Sequence, residues 1–160
     1  MWKLDEIDGL TEGVAIEAKA AQGRHGNGEL PESVWETYSS FANTGGGHIL
    51  LGVKEEENGH FTALGLAEPE RMRDEFWLAV NDAKVVSRNI LRRGDLKIVS
   101  YQGARMLIVR VPPVAIGEQP IFVGPDPYQG TYMRRGDGDF RCEREQVARM
   151  LARGREEEEE

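Results

Sequence analysis

The sequence predicts a mixed α/β (α+β) fold, with a central mixed sheet and about three helices packed against it. Two observations carry this prediction. Short apolar runs of strand character are interleaved with segments of helical period, in the order β-α-β-β-α-β-β-β-β-α. Some neighbouring strands are separated by a helix and others by a short polar turn, so crossovers and hairpins share the fold. A third observation bounds the size: 160 residues, 39% apolar and 30% charged, suit one good core. Residues 1–155 therefore read as a single domain, and the five glutamates at 156–160 as a solvated, disordered acidic tail.

Taken in order, VAIEAK (14–19) alternates, with Val14, Ile16 and Ala18 toward a core and Glu17 and Lys19 on the other face. The glycine-rich AAQGRHGNGEL that follows is a loop. PESVWETYSSFAN, from Pro31, places Val34, Trp35, Tyr38, Phe41 and Ala42 at helical spacing, with Ser33 and Glu36 set for a capping box. Gly45 then suits a left-handed helix cap, while Gly46 and Gly47 let the backbone pass close to another group. GGHILLGV reads as one continuous apolar strand, and EEENGH turns into FTALGL. The longest helical pattern, AEPERMRDEFWLAVNDAKVV, aligns Met72, Phe76, Ala79, Val80 and Ala83 on one stripe. DLKIVSY, ARMLIVRVPP, a short PIFV and GTYMRRG are strands, and EREQVARMLARG is a helix that turns Val147, Met150 and Leu151 inward.

Several function classes drop out. No apolar run approaches the roughly 20 residues of a membrane span, so no membrane partner is expected. The acidic N-terminus lacks a leader's apolar core, and Cys142 has no cysteine to pair with, which points to a reducing cytoplasm. That lone thiol reads as a packing residue. His25, His48 and His60 have no metal-ligand spacing, and no GxxxxGK[ST] phosphate loop is present.

The net charge of −8 is unevenly spread. Arg134, Arg135, Arg141, Arg144, Arg149, Arg153 and Arg155 crowd the C-terminal quarter, and Arg88, Arg92, Arg93 and Lys97 form a second cluster. Screening cuts exposed charges off within about 10 Å, so local clusters decide whether a polyanion can bind. Arg134 and Arg135 point to opposite faces of one strand, placing one of them toward a groove. Arginine suits bidentate contact with phosphate, and an ion pair with Asp137 or Asp139 is the alternative. The GRHGNG loop reads first as a flexible connection, with Arg24 and His25 as candidate anion contacts. If the strands carrying Glu17 and Glu55 are neighbours, Glu12, Glu17 and Glu55 converge where a hard divalent cation would activate water. The plain alternative is that all three are solvated carboxylates.

These pieces together resemble the Schlafen-type AlbA-like domain, from about Glu12 to Ile121 and on to Gly136. The resemblance is carried by EGVAIEAK, FANTGGGHILLGV, the Gly65-Leu66 pair, IVRVPP, Pro120 and YMRRGDG. It implies a nucleic-acid-binding domain for DNA or RNA. In bacterial transcriptional regulators such a domain precedes a downstream region related to ATP-binding and winged-helix modules. In some animal relatives it implies a Mg²⁺- or Mn²⁺-dependent endoribonuclease with three acids. Two of these match Glu12 and Glu17. The third follows the strand matching ILLGV, where this chain has Lys54-Glu55 in place of an Asp. Ala18 also replaces the family's usual aromatic residue. Three readings follow. The favoured one is a nucleic-acid-binding module using Lys19, Arg24, Arg134 and Arg135. A metal-dependent nuclease using Glu12, Glu17 and Glu55 comes second, and a protein-interaction or homodimerisation domain third.

Overall fold

The structure is a computed structural model that describes residues 15–23 and 29–159. Its centre is a mixed four-stranded sheet in the order β1 (Ala15–Lys19), β2 (Gly47–Leu51), β6 (Ala104–Val111) and β5 (Leu96–Tyr101). Strands β1 and β2 run parallel, and the other neighbours are antiparallel. Between β1 and β2 the chain crosses over through α1 (Val34–Ala42), as a parallel pair requires. Helix α2 (Pro69–Val80) precedes β5, with proline in its first turn.

The two faces of the sheet are covered differently. Ile49, Leu51, Leu107 and Val109 pack beneath α1 and α2 with Phe41, Tyr38, Met72 and Phe76. Trp35 joins the two helices, its ring centroid 4.7 Å from that of Phe76. On the opposite face, Leu50, Met106 and Ile108 pack against Val53 and Phe61 of a small hairpin, β3 (Val53–Glu55) and β4 (Phe61–Ala63). Every residue of β2 is buried, which explains an apolar run without polar alternation. A third cluster seats Cys142, Val147 and Met150 against Tyr128 and Met133. It joins α4 (Arg144–Glu159) to the hairpin of β7 (Tyr132–Arg135) and β8 (Gly138–Arg141) and to the single turn α3 (Pro127–Gly130). Burial pushes the Cys142 thiol up from its ordinary pKa, as suits a packing residue.

Several expectations need correction. GGHILLGV is not one strand: Gly52, at φ +87°, breaks it, and Val53–Glu55 leaves the main sheet for the β3–β4 hairpin. Helix α1 begins at Val34 without a side-chain cap, so the Ser33–Glu36 capping box does not form. Instead Ser33 accepts from Lys19 Nζ at 3.1 Å, and Glu36 accepts from the Tyr132 hydroxyl at 3.3 Å. PIFV makes isolated bridges, Phe122 with Thr131 and Val123 with Val86, where a ladder strand was expected. The stripe on α2 ends at Val80, leaving Ala83 exposed beyond the helix. Strand β8 and α3 were not foreseen, and the backbone of α4 stays helical into the glutamate run. Val14 lies outside the described residues.

The connection from α1 to β2 is pinned by Asn43. Its buried amide accepts from Ile121 N at 2.9 Å and donates to Ile121 O at 2.8 Å and Tyr132 O at 3.0 Å. The glycines after it have distinct reasons. Gly46, not Gly45, takes the left-handed conformation, at φ +79°, and its N–H bonds Phe41 O at 2.9 Å. A Cβ on Gly47 would stand 2.6 Å from the Phe41 ring and 2.8 Å from Ala15 O, whereas one on Gly45 would meet nothing within 4 Å. Gly45→Ala should therefore change stability by no more than about 0.5 kcal/mol. Gly47→Ala should cost about 1–3 kcal/mol through overpacking, with urea unfolding as the measurement.

Candidate nucleic-acid interface

Arg134 organises the site. In the β7–β8 register it lies directly opposite Asp139, and residues so paired share a face of the hairpin. That face turns toward α1 and the edge strand β1. The Arg134 guanidinium donates to Glu17 Oε2 at 3.0 Å and to Asp139 Oδ1 at 2.9 Å, and its Cζ lies 5.1 Å from the Phe41 ring centroid. Its backbone N–H bonds Thr44 Oγ1 at 2.9 Å, and Asp139 Oδ2 accepts from Thr37 Oγ1 at 2.6 Å. One cation thus ties together β1, both ends of α1, and both strands of the hairpin.

The side chain of Arg134 is only 6% exposed. Burial alone would lower its pKa, but hydrogen bonds donated to Glu17 and Asp139 outweigh that and raise it above the ordinary value. A permanently charged group this deep is stable only while both carboxylates remain. Arg134 is consequently occupied within the protein, and its neighbour is the one that faces outward.

Arg135 is exposed, and its guanidinium lies 5.7 Å from the ring centroid of Phe140, which is itself 49% exposed. Among the described residues Arg135 has no carboxylate partner. Lys19, two residues beyond Glu17 on the same face of β1, reaches the start of α1 through Ser33 and makes no ion pair there. Glu12 and Arg24 lie outside the described residues.

Of the three acids of the nuclease expectation, Glu17 and Glu55 lie among the described residues. Strands β1 and β2 are indeed neighbours, with Glu17 opposite Ile49, but Glu55 lies past the Gly52 break on the separate β3–β4 sheet and is exposed. Glu17 faces a guanidinium. Among the described residues, no group of three or more His, Cys, Asp or Glu side chains stands close enough to hold a metal ion. The described residues alone therefore do not assemble the three-acid site.

Sequence reasoning weighed Asp139 as an ion-pair partner but missed Thr37, Phe41 and Phe140. The signal for Phe140 was present: RGDGDFR is a glycine turn followed by an alternating run, a hairpin pattern.

This constellation lies within residues 12–143, which match the model of the Schlafen, AlbA_2 family. The chain belongs to the Schlafen, AlbA_2 family. No curated protein matches it. Among solved structures, this Schlafen, AlbA_2 domain is similar to the N-terminal domain of a RecG-related protein from Nitrosomonas europaea. The identity is 28% and the TM-score 0.55, over 89% of this chain and 94% of that one. It also shares its fold with the DIP2311 protein of Corynebacterium diphtheriae, at 19% identity and TM-score 0.54. That match covers 85% of this chain but only 23% of the other, so the domain is a small part of the longer protein.

Truncating the clamp tests its structural weight. Arg134→Ala would leave two carboxylates without their cation and should cost about 3 kcal/mol, at the low end for a buried pair because Glu17 is partly exposed. Arg134→Lys should recover only part of this, since an ammonium cannot serve both acids in a planar fork. Urea unfolding of the two variants beside the wild type gives the comparison.

Proposed function

We propose that this domain binds nucleic acid through its phosphate backbone, with Arg135 and Lys19 as the direct contacts. Arg24, which lies outside the described residues, is a further contact. The observation that carries the reading is the exposed Arg135–Phe140 pair on the outer face of a hairpin whose inner face is anchored by Arg134. An unpaired guanidinium beside an open aromatic ring suits phosphate and base together. Arg134 acts indirectly, holding the hairpin and quenching Glu17, whose free carboxylate would otherwise repel a polyanion. Family membership supports the reading, as does likeness to a domain of a protein named for an ATP-dependent DNA helicase. In a longer cytoplasmic protein the domain would bring a regulatory region to nucleic acid, as a transcriptional regulator requires.

The test is fluorescence anisotropy with labelled single-stranded DNA and structured RNA over a range of salt. The logarithm of affinity should fall linearly with the logarithm of salt as counterions are released. Arg135→Ala and Lys19→Ala should each weaken binding and flatten the slope by about one unit. Binding that is absent, or indifferent to salt, would overturn the reading. Incubation of the same RNA with Mn²⁺ or EDTA checks for cleavage, which Glu17→Ala should abolish if Glu12, Glu17 and Glu55 do assemble around a metal.

A further inference from the structure

A second basic region lies apart from the Arg134 clamp, at the opposite edge of the sheet. Here a small cleft of ≈ 170 Å³ is lined by Arg73 and Trp77 of α2, by Arg93, and by Leu96 at the start of β5. Arg93 belongs to the 3-10 turn Arg93–Asp95 that leads into β5, and its Cζ lies 4.8 Å from the Trp77 ring centroid. Trp77 is half-buried, packed at its inner side against the helix-side core.

The charges around this cleft are unbalanced. Arg71, Arg88, Arg105 and Arg110 each have a carboxylate partner, in Glu68 and Glu75, Glu118, Glu70 and Asp95 respectively. By contrast Arg92 and Arg93 are exposed, and neither makes an ion pair among the described residues, while Lys97, paired with Ile108, lies on the other face of the sheet. Arg73 pairs with its chain neighbour Asp74, at 3.7 Å, and, behind the hydrogen bond from Arg105, helps to lower the Glu70 pKa. Asp95, the acid nearest in sequence, is already engaged by Arg110 and by the Arg92 N–H at 2.8 Å. The Arg93–Trp77 pair thus borders an open cleft with a guanidinium that no carboxylate neutralises among the described residues.

We propose that Trp77 is a stacking platform for one unpaired base of a single-stranded nucleic acid, with Arg93 and Arg73 on the adjoining phosphates. This rests on the nucleic-acid reading above and narrows it to single strands. The base takes the indole face that Arg93 now covers, and the guanidinium exchanges that contact for a charge-assisted bond to phosphate. A duplex keeps its base faces stacked inside and cannot present one to the indole, whereas an unpaired strand can.

The test is titration of the full chain with oligo-dT, following tryptophan fluorescence and the anisotropy of the labelled strand, beside a duplex of equal length. Oligo-dT should change the wild-type emission, and Trp77→Phe should remove most of that change. Trp77→Ala should weaken oligo-dT binding about tenfold, within the range for one stacked base, and duplex binding less than twofold. Arg93→Ala replaces an exposed turn residue and should weaken oligo-dT as well, which keeps the test valid if Trp77→Ala unfolds. Unchanged emission on oligo-dT binding, or full affinity in the Trp77 and Arg93 variants, overturns the platform. If Arg135→Ala still flattens the salt slope in that case, the nucleic-acid reading stands without it. Failure of the wild type to bind either nucleic acid overturns both.

Discussion

A guanidinium cannot shed its charge, so burying one obliges the chain to supply carboxylates and an aromatic face where it comes to rest. Arg134 imposes that obligation here, and Glu17, Asp139 and Phe41 meet it from three separate stretches of sequence. The positions of the edge strand β1, the hairpin and the outward-facing Arg135 all follow from it. Because Arg134 and Arg135 are adjacent on a strand, anchoring the first inward turns the second out. The same ion pair accounts for an acidic edge strand lying beneath a proposed polyanion site, since the Glu17 charge is already matched.

Around this clamp the sheet works as a two-sided support. Helices cover one face and the β3–β4 hairpin the other, so β2 is buried throughout and its backbone is paired on both sides. The glycines before and after β2 serve that arrangement. Gly47 gives room for the Phe41 ring, and Gly52 turns the chain off the sheet onto its second face. Asn43 completes the joint by reading the backbone of residue 121 from both its donor and its acceptor, which couples α1 to the segment that leads into the hairpin. A buried amide so fully bonded adds specificity of arrangement as well as stability.

The basic residues illustrate how little a list of charges says about availability. The seven C-terminal arginines looked alike in the sequence, yet one is buried in an ion pair, one lies over Phe140, and Arg144 lies over Tyr128. The cluster Arg88, Arg92, Arg93 and Lys97 likewise divides. Arg88 is paired to Glu118, Arg93 lies over Trp77, and Lys97, opposite Ile108, is on the other face of the sheet. Which cations are open to a ligand depends on where carboxylates from distant segments arrive, and sequence proximity does not determine that.

By itself the sequence determined the class of fold, most elements in order, the family, and a set of acids and arginines from which a site would be drawn. Hydrophobic period, proline and glycine report local conformation, and local conformation is what those elements require. The packing stripe of α2 and the alternation of β1 were legible for that reason. Tertiary structure alone decided that GGHILLGV breaks at Gly52, that Gly46 and not Gly45 takes the left-handed turn, and that the RGDGDFR hairpin sets Asp139 against Thr37 of α1. It also decided that Glu17 faces Arg134 while Glu55 sits on another sheet. Each of these depends on what approaches from more than a dozen residues away: Leu66 against Gly52, Thr37 against Asp139, Glu17 against Arg134. Periodicity carries no record of such encounters, because burial and charge pairing belong to the assembled sheet and not to any one segment of it.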